Sequence, residues 1–244
     1  MRTVSIVIPA YNEEAFIGRL LEQIAAVPTE QLGFRKEIVV VDDGSRDQTF
    51  EVASRCHFPG IRVFKQVPNQ GKGRAVQRGI RECTGEFVLV QDADLEYDPN
   101  DYLPLLAALQ GEERVAVYGS RTLGQIRRRG RRSLFPGRHE DQSLGPWVAG
   151  VVLSAWTFAL YRRWISDTLT AYKLYPTAEI RKMTIRTHGF ETDHEITSKL
   201  IKAGIPIREV PIGYQPRTEE EGKKIRARDG WVALWTLWRF RKRD

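Results

Sequence analysis

The residues with the most chemistry in their spacing stand at Gln91-Asp92-Ala93-Asp94-Leu95-Glu96. Asp92 and Asp94 follow directly on the apolar run Phe87-Val88-Leu89-Val90, which reads as a strand buried on both faces. Two carboxylates where a buried strand runs out are poor packing residues, because unpaired buried charge is expensive. They suit a hard divalent cation, which takes oxygen ligands and leaves positions open for phosphate oxygens. Glu96 continues the i, i+2 spacing as a third candidate ligand, directly or through water. The plainer alternative is a solvated acidic turn before Pro99, and the surroundings of the pattern decide between the two.

The elements that must position these residues alternate. Residues 3–8 predict a strand ending in Pro9-Ala10-Tyr11-Asn12-Glu13. Apolar residues at 16, 17, 20, 21 and 24 predict an amphipathic helix over 13–27, with Asn12 as its N-cap. Residues 37–41 predict a second strand ending in Asp42-Asp43-Gly44-Ser45, and Asp47 opens a helix to about Cys56. A strand over 61–65 follows. Asn69-Gln70-Gly71-Lys72-Gly73 leads into a helix to Cys83, and 87–91 is the fourth strand. A helix over 100–109 and a strand over 114–118 complete the first half. This alternation predicts an α/β domain with a mostly parallel central sheet covered by helices.

Ligands in such sheets bind beyond the carboxyl ends of the strands. Tyr11-Asn12-Glu13, Asp42-Asp43, Gly71-Lys72-Gly73 and Asp92-Asp94 all fall there, and their convergence predicts one binding edge. Gly71 and Gly73 would let backbone N–H groups approach an anion, with Lys72 adding charge at a helix N-terminus. The GxxxxGK[ST] spacing of a nucleoside triphosphate loop is absent, and no GxGxxG follows the first strand, which disfavours dinucleotide binding.

Length and composition narrow the class. A chain of 244 residues fits one domain, or one domain with a short appendage, and 41% hydrophobic content supports a core. Cys56 and Cys83 form no framework, which points to a reducing compartment. The N-terminus reads as a strand rather than a signal peptide. The apolar stretch 146–161 is shorter than the roughly 20 residues that span a bilayer, so no transmembrane helix is expected. A net charge of +7 favours polyanionic partners: nucleic acid, an anionic membrane surface or phosphorylated substrates. Arg121 to Arg138 holds seven arginines and no acid.

The second half is less regular. Residues 123–145 have no period and read as a mobile loop. Residues 147–164 are mostly apolar with several aromatics. They fit a buried core helix, or a helix in a membrane interface with Trp147, Trp156, Tyr161 and Trp164 at headgroup level and Arg162 and Arg163 on phosphates. A strand over 170–175 precedes a helix over 192–203 that opens with Asp193, His194 and Glu195. These acids fit helix capping and dipole complementarity, with a general base as the alternative. His194, with no second histidine nearby, reads as a satisfied polar residue rather than a metal ligand. A strand over 205–214, a mixed-charge loop from Arg217 and an amphipathic helix over 231–240 with a basic end close the chain.

Together, Pro9-Ala-Tyr-Asn-Glu13, Val41-Asp-Asp-Gly-Ser45, Asn69-Gln-Gly-Lys-Gly73 and Gln91-Asp-Ala-Asp94 resemble the signature loops of family 2 glycosyltransferases of the GT-A fold. With Tyr118-Gly-Ser-Arg121, Asp167-Thr-Leu-Thr-Ala-Tyr-Lys-Leu-Tyr175 and Glu209-Val-Pro-Ile212, the chain is similar to the dolichyl-phosphate mannose synthases and their prokaryotic polyprenyl-phosphate relatives. The resemblance implies a single GT-A (Rossmann-like) domain with C-terminal amphipathic helices. Residues 1–120 would form the nucleotide-sugar half, 121–146 a basic acceptor loop, 147–226 the acceptor-side half and 227–244 a basic terminal helix.

It also implies roles. Pro9, Tyr11, Glu13, Asp42, Asp43, Gly71, Lys72 and Asp92 would bind the nucleotide sugar. Asp92, Asp94 and Glu96 would hold Mg²⁺ or Mn²⁺, although the mannose synthases often carry Gln at the place of Glu96. Arg121, Arg217 and Lys224 would act with Asp92 and Asp94 in catalysis, Arg217 and Lys224 on the donor and acceptor phosphates. Many relatives have an Asn-Arg pair where this chain has Gly150-Val151, which leaves the acceptor phosphate to one of Arg127 to Arg132 or Arg138. The implied reaction is inverting transfer from a nucleoside diphosphate sugar, GDP-mannose or a UDP-sugar, to a polyprenyl phosphate. The enzyme would be peripheral on the cytoplasmic face of the plasma membrane. A hydroxyl acceptor with Asp193 or Glu195 as base is the alternative within the family. A nucleic-acid-binding protein is the alternative outside it, and it leaves the acidic loop unexplained.

Overall fold

The computed structural model describes residues 1–129, 137–138, 144–216 and 227–242. Its centre is a sheet of β1 (Arg2–Ala10), β2 (Phe34–Asp42), β3 (Ile61–Lys65), β4 (Phe87–Val90), β5 (Ala116–Ser120), β6 (Lys173–Pro176) and β7 (Ile207–Pro211). The order is β3-β2-β1-β4-β6-β5-β7. All neighbouring pairs run parallel except those of β6, which is antiparallel to both β4 and β5. The inversion has a consequence for chemistry. It sets Lys173, the first residue of β6, opposite Val90 at the end of β4, two residues before Asp92.

Side chains alternate between two apolar layers, as the two-residue period of a strand requires. Ile6, Ile8, Phe87 and Leu89 face α1 (Ile17–Ala26) and α4 (Tyr102–Ala107), where they meet Leu20, Leu21, Ile24 and Tyr102. Val7, Val88 and Val90 face α3 (Lys72–Glu82) and α8 (Thr192–Lys202), where they meet Val76, Ile80, Ile196 and Leu200. The helix α2 (Thr49–Arg55) covers the β2–β3 side of the sheet, and the short α7 (Thr177–Ile180) follows β6.

Several expectations need correction. The first helix begins at Ile17, and Asn12 does not cap it; Asn12 has a left-handed φ of 53° and its Oδ1 accepts from Arg46 N–H at 2.9 Å. The stretch read as a loop from 123 instead continues β5 as a helix, α5 (Arg121–Arg129). This helix has no long apolar stripe to announce it. It is seated by Gly124, where a Cβ would lie 2.0 Å from the Ile212 carbonyl oxygen. The sixth strand starts at Lys173 rather than at 170.

The apolar stretch forms α6 (Leu144–Tyr161), which begins two residues before the stretch read from the sequence. Eighteen residues rise roughly 27 Å, so by length and composition this helix is able to cross a membrane, and only 17% of it is buried. It is therefore not a core helix, and the expectation that no such helix exists does not hold. Only its Leu153, Ser154 and Thr157 are buried, against α9 (Ala227–Lys242).

Candidate active site

The loops after β1 and β2 are stitched to each other. Glu13 N–H donates to Thr49 Oγ1 at 2.8 Å, Asn12 N–H to Ser45 Oγ at 3.0 Å, and Gln48 N–H to Glu14 Oε2 at 2.8 Å. Pro9 and Tyr11 lie on this same rim, at the end of β1. Asp43 then organises the third loop. Its carboxylate accepts from Gln66 Nε2 at 2.5 Å and from the N–H groups of Gln70 and Gly71, both at 2.8 Å. Its backbone carbonyl accepts from Asn69 Nδ2 at 2.9 Å. Asp42 is fully buried: Oδ2 accepts from Ser45 N–H at 3.3 Å, and Oδ1 has no hydrogen-bond partner among the described residues. A buried acceptor left without a donor is costly, so Asp42 Oδ1 suits an N–H group brought by a ligand.

The two glycines have packing and hydrogen-bonding tasks within the protein. The N–H of Gly71 is already taken by Asp43. Gly73 has no side chain because the start of α3 lies against 188–192: a Cβ there would be 2.0 Å from Thr192 Oγ1 and 2.7 Å from the His188 carbonyl carbon. The glycines thus fix where Lys72 starts.

From that position Lys72 reaches Asp92, with Nζ 2.6 Å from Oδ1. The two side chains are 17% and 22% exposed, and the Phe190 ring centroid is 5.4 Å from the ammonium. Burial pulls the Lys72 pKa down, but Asp92, with Asp193 and Asp94 behind it, outweighs burial and holds it above the ordinary lysine value. Lys173 is completely buried. Its ammonium donates to the carbonyls of Thr170 at 2.7 Å and Thr168 at 3.2 Å and faces Asp193 Oδ2 at 3.8 Å. Burial lowers its pKa against the pull of Asp193. Lys173, Asp193, Lys72 and Asp92 therefore form an alternating row of charge from the sheet to the acidic loop.

The acidic loop is held from below by groups that sequence reading missed. Gln91 Oε1 accepts from the hydroxyls of Tyr102 at 2.6 Å and Tyr172 at 2.7 Å, while its Nε2 donates to the Asp92 carbonyl at 2.7 Å. Asp94 Oδ1 accepts Glu96 N–H at 3.2 Å. Glu96 turns to Tyr214, whose hydroxyl donates to Oε2 at 2.9 Å. Among the described residues no three His, Cys, Asp or Glu side chains are gathered for a metal ion. The set Asp92, Asp94 and Glu96 is thus not assembled as three ligands. Asp92 and Asp94 alone still offer hard oxygens on one loop, which fits an ion that completes its shell with phosphate oxygens. No periodicity could have signalled Tyr172 or Tyr214, since each works through its hydroxyl from a distant strand end.

Arg121 is committed elsewhere. Its Nε and Nη2 donate to Asp167 Oδ2 at 2.7 Å and Oδ1 at 2.8 Å, and the Tyr214 ring lies 4.8 Å from its Cζ. Burial raises the Asp167 carboxyl, but the charge and hydrogen bonds of Arg121 prevail and lower it. This bidentate pair closes the β5 end and engages Nε and Nη2 of the guanidinium. Glu195 is likewise occupied, accepting from Arg186 N–H, Thr187 N–H and Thr187 Oγ1 and pairing with Lys199 at 3.0 Å. It ties a loop to α8 rather than capping the helix, whose N-cap is Glu191. Asp193 keeps 18% exposure at the same edge as Lys72. Arg127 and Arg128 are exposed on α5, and Arg138 is half-buried close to Thr122 through its neighbour Gly137. Arg131, Arg132, Arg217 and Lys224 lie outside the described residues.

Residues 5–169, more than half the chain, match the profile of glycosyl transferase family 2. A dolichyl-phosphate beta-glucosyltransferase of Saccharomyces cerevisiae is 30% identical over 238 residues, covering 91% of this chain and 69% of that one. A dolichol-phosphate mannosyltransferase of Mycosarcoma maydis is 29% identical over 97% of this chain and 79% of its own. An undecaprenyl-phosphate 4-deoxy-4-formamido-L-arabinose transferase of Pseudomonas savastanoi is 34% identical over 70% of this chain and 50% of its own. Among solved structures, glucosyl-3-phosphoglycerate synthase of Mycobacterium tuberculosis, crystallised with Mn²⁺, UDP and phosphoglyceric acid, superposes with a TM-score of 0.70 over 99% of this chain and 79% of its own, at 21% identity. That likeness concerns the fold.

Proposed function

Because the chain belongs to glycosyl transferase family 2 and is a glycosyltransferase, we propose that it moves a sugar, with inversion, from a nucleoside diphosphate sugar to a polyprenyl phosphate at a membrane surface. The observation that carries this reading is the meeting of four polar loops at one sheet edge, with Lys72 and Asp92 at their centre. The polyprenyl phosphate named for relatives of both eukaryotic and bacterial origin supports the acceptor class.

Asp42, Asp43 and the 11–13 turn would hold the nucleoside, and Lys72 would meet the diphosphate as negative charge develops on the leaving group. Mg²⁺ or Mn²⁺ is the cofactor of this proposal: Asp92 and Asp94 would hold it, and it would neutralise the leaving nucleotide. Arg217 and Lys224 would add charge on the donor and acceptor phosphates. The acceptor phosphate falls to the exposed arginines of α5, Arg127 and Arg128, or to Arg138, Arg131 or Arg132. A phosphate monoester has a second pKa of about 6, so it is already a nucleophilic anion at neutral pH and needs no base. That agrees with a site in which Glu195 is fully engaged and Asp193 stands between two lysines.

A hydroxyl acceptor would need a base, and Asp193 is the remaining candidate. Asp193→Asn separates the readings. We expect transfer to fall by no more than about tenfold, whereas loss of a general base costs about 100-fold or more. The direct test is a panel of UDP- and GDP-sugars offered with short polyprenyl phosphates and the matching polyprenols. Lipid-linked sugar should form on the phosphates alone and only with a divalent cation. Full transfer in excess EDTA, or transfer to the free alcohol, would overturn the reading.

A further inference from the structure

We propose that Lys72 is a built-in stand-in for the divalent cation. Its ammonium holds Asp92 until a nucleoside diphosphate offers it other anionic oxygens, so cation and nucleotide bind as a coupled pair. This rests on the metal site proposed at Asp92 and Asp94.

Lys72 is not a surface lysine that happens to lie near an acid. Its backbone is pinned on both sides, by Asp43 accepting from Gln70 and Gly71 and by Gly73 packed on His188 and Thr192. The ammonium sits 2.6 Å from Asp92 Oδ1, with little of either side chain open to solvent. Water therefore screens the pair weakly, and separating it leaves two poorly solvated charges unless each finds a new partner.

The neighbours define what happens when a cation arrives. Asp94 and Asp193 also act on Lys72, and Asp193 is shared with the buried Lys173 at 3.8 Å. Among the described residues, three carboxylates thus face two ammonium groups. A divalent cation arriving alone must take Asp92 from Lys72 and then lie beside the displaced ammonium, a repulsion that weakens its binding. A diphosphate would remove that penalty, because its anionic oxygens would accept from Lys72 in place of Asp92. The two ligands then raise each other's affinity by one common factor, as linkage requires.

The test measures Mn²⁺ binding by the free-ion electron paramagnetic resonance signal, with the whole chain, with and without saturating UDP or GDP. Wild type should bind Mn²⁺ weakly alone and about tenfold or more tightly with nucleotide. Lys72→Met should bind Mn²⁺ alone about tenfold more tightly than wild type and gain less from nucleotide than wild type does. Lys72→Arg should restore the wild-type pattern, and Asp92→Asn should remove binding. If Lys72→Met binds Mn²⁺ alone no more tightly than wild type, the stand-in role is overturned while the metal site survives. Should that variant not fold, equal Mn²⁺ affinity of wild type with and without nucleotide overturns it as well. No Mn²⁺ binding by wild type under any condition overturns both this inference and the metal site.

Discussion

His194 is a buried titratable group whose effect on stability can be isolated. It is 4% exposed, and Nδ1 has no partner among the described residues. Burial, and then the nearby charge of Lys173, push its pKa from 6.5 to about 4 against the opposite pull of Asp193. The sign follows directly: below pH 6.5 the unfolded chain takes a proton that the folded chain refuses, so stability falls with pH until about 4. The loss from this group amounts to roughly 3 kcal/mol over that window. Urea unfolding of wild type and His194→Gln between pH 7 and 4.5 should give curves that converge as pH falls, because the variant lacks this acid penalty. Parallel curves would contradict the neutral buried state. At the other end of the row, Asp92→Asn and Asp94→Asn should each abolish transfer while the chain still unfolds cooperatively in urea, and Asp92→Asn should also lower stability, because it leaves the Lys72 ammonium without its partner. Retained transfer in either variant would remove that carboxylate from the metal site.

Among the elements, the start of α3 has little tolerance for added volume. Gly73→Ala drives a Cβ against the backbone of His188 and against Thr192 Oγ1, and backbone yields less readily than a side-chain tip. Such overpacking costs about 1–3 kcal/mol, and because α3 carries Lys72, donor affinity should fall with it. Gly150→Ala in α6 is the matched comparison. Its Cβ meets nothing, so the change should be neutral or stabilising by up to about 1 kcal/mol. Chemical unfolding of both, with nucleotide binding measured alongside, checks the contrast. Equal effects would mean that the α3 contact is not tight. These elements also mark what was legible. The strands β1, β2 and β4 could be read from continuous apolar runs, and the carboxyl-end rule placed Asp43, Lys72 and Asp92 on one edge. The inversion of β6 could not be read, since Lys173 in an apolar run gives no direction, and it is the inversion that brings Lys173 behind Asp193. The helix α5 was hidden by its arginines: its fit depends on Gly124 against the Ile212 backbone and on Arg121 clasping Asp167, contacts made far along the chain.

Viewed as a whole molecule, the chain exposes apolar surface mainly along α6 and α9. Trp231, Trp235 and Trp238 are 76%, 58% and 51% exposed, and Val148, Val151, Val152 and Phe158 add to the surface from α6. The helices are tied together, with Trp156 Nε1 donating to the Leu234 carbonyl at 3.1 Å and Tyr161 Oη to the Leu237 carbonyl at 2.6 Å. Arg239, Arg241 and Lys242 close α9. A polyprenyl phosphate is held in the bilayer by about 0.8 kcal/mol per buried CH₂, so an enzyme that uses one must come to the interface. Exposed tryptophans beside a basic helix end suit headgroup level, and each basic residue near an anionic leaflet is worth roughly 1 kcal/mol. Although α6 is long enough to cross, its buried side rests on α9, and Trp156 and Tyr161 are tied to α9 carbonyls, so inserting it alone would strip these bonds. We therefore expect the pair to lie in the membrane plane. The protein should bind anionic liposomes, release in high salt and bind zwitterionic liposomes much less. Trp231→Ala with Trp235→Ala should weaken liposome binding and slow transfer to lipid while nucleotide affinity stays unchanged. Equal binding to both liposome types would remove the electrostatic part. Protein that resists both high salt and alkaline carbonate, and leaves the membrane only in detergent, would instead mean that α6 spans the bilayer.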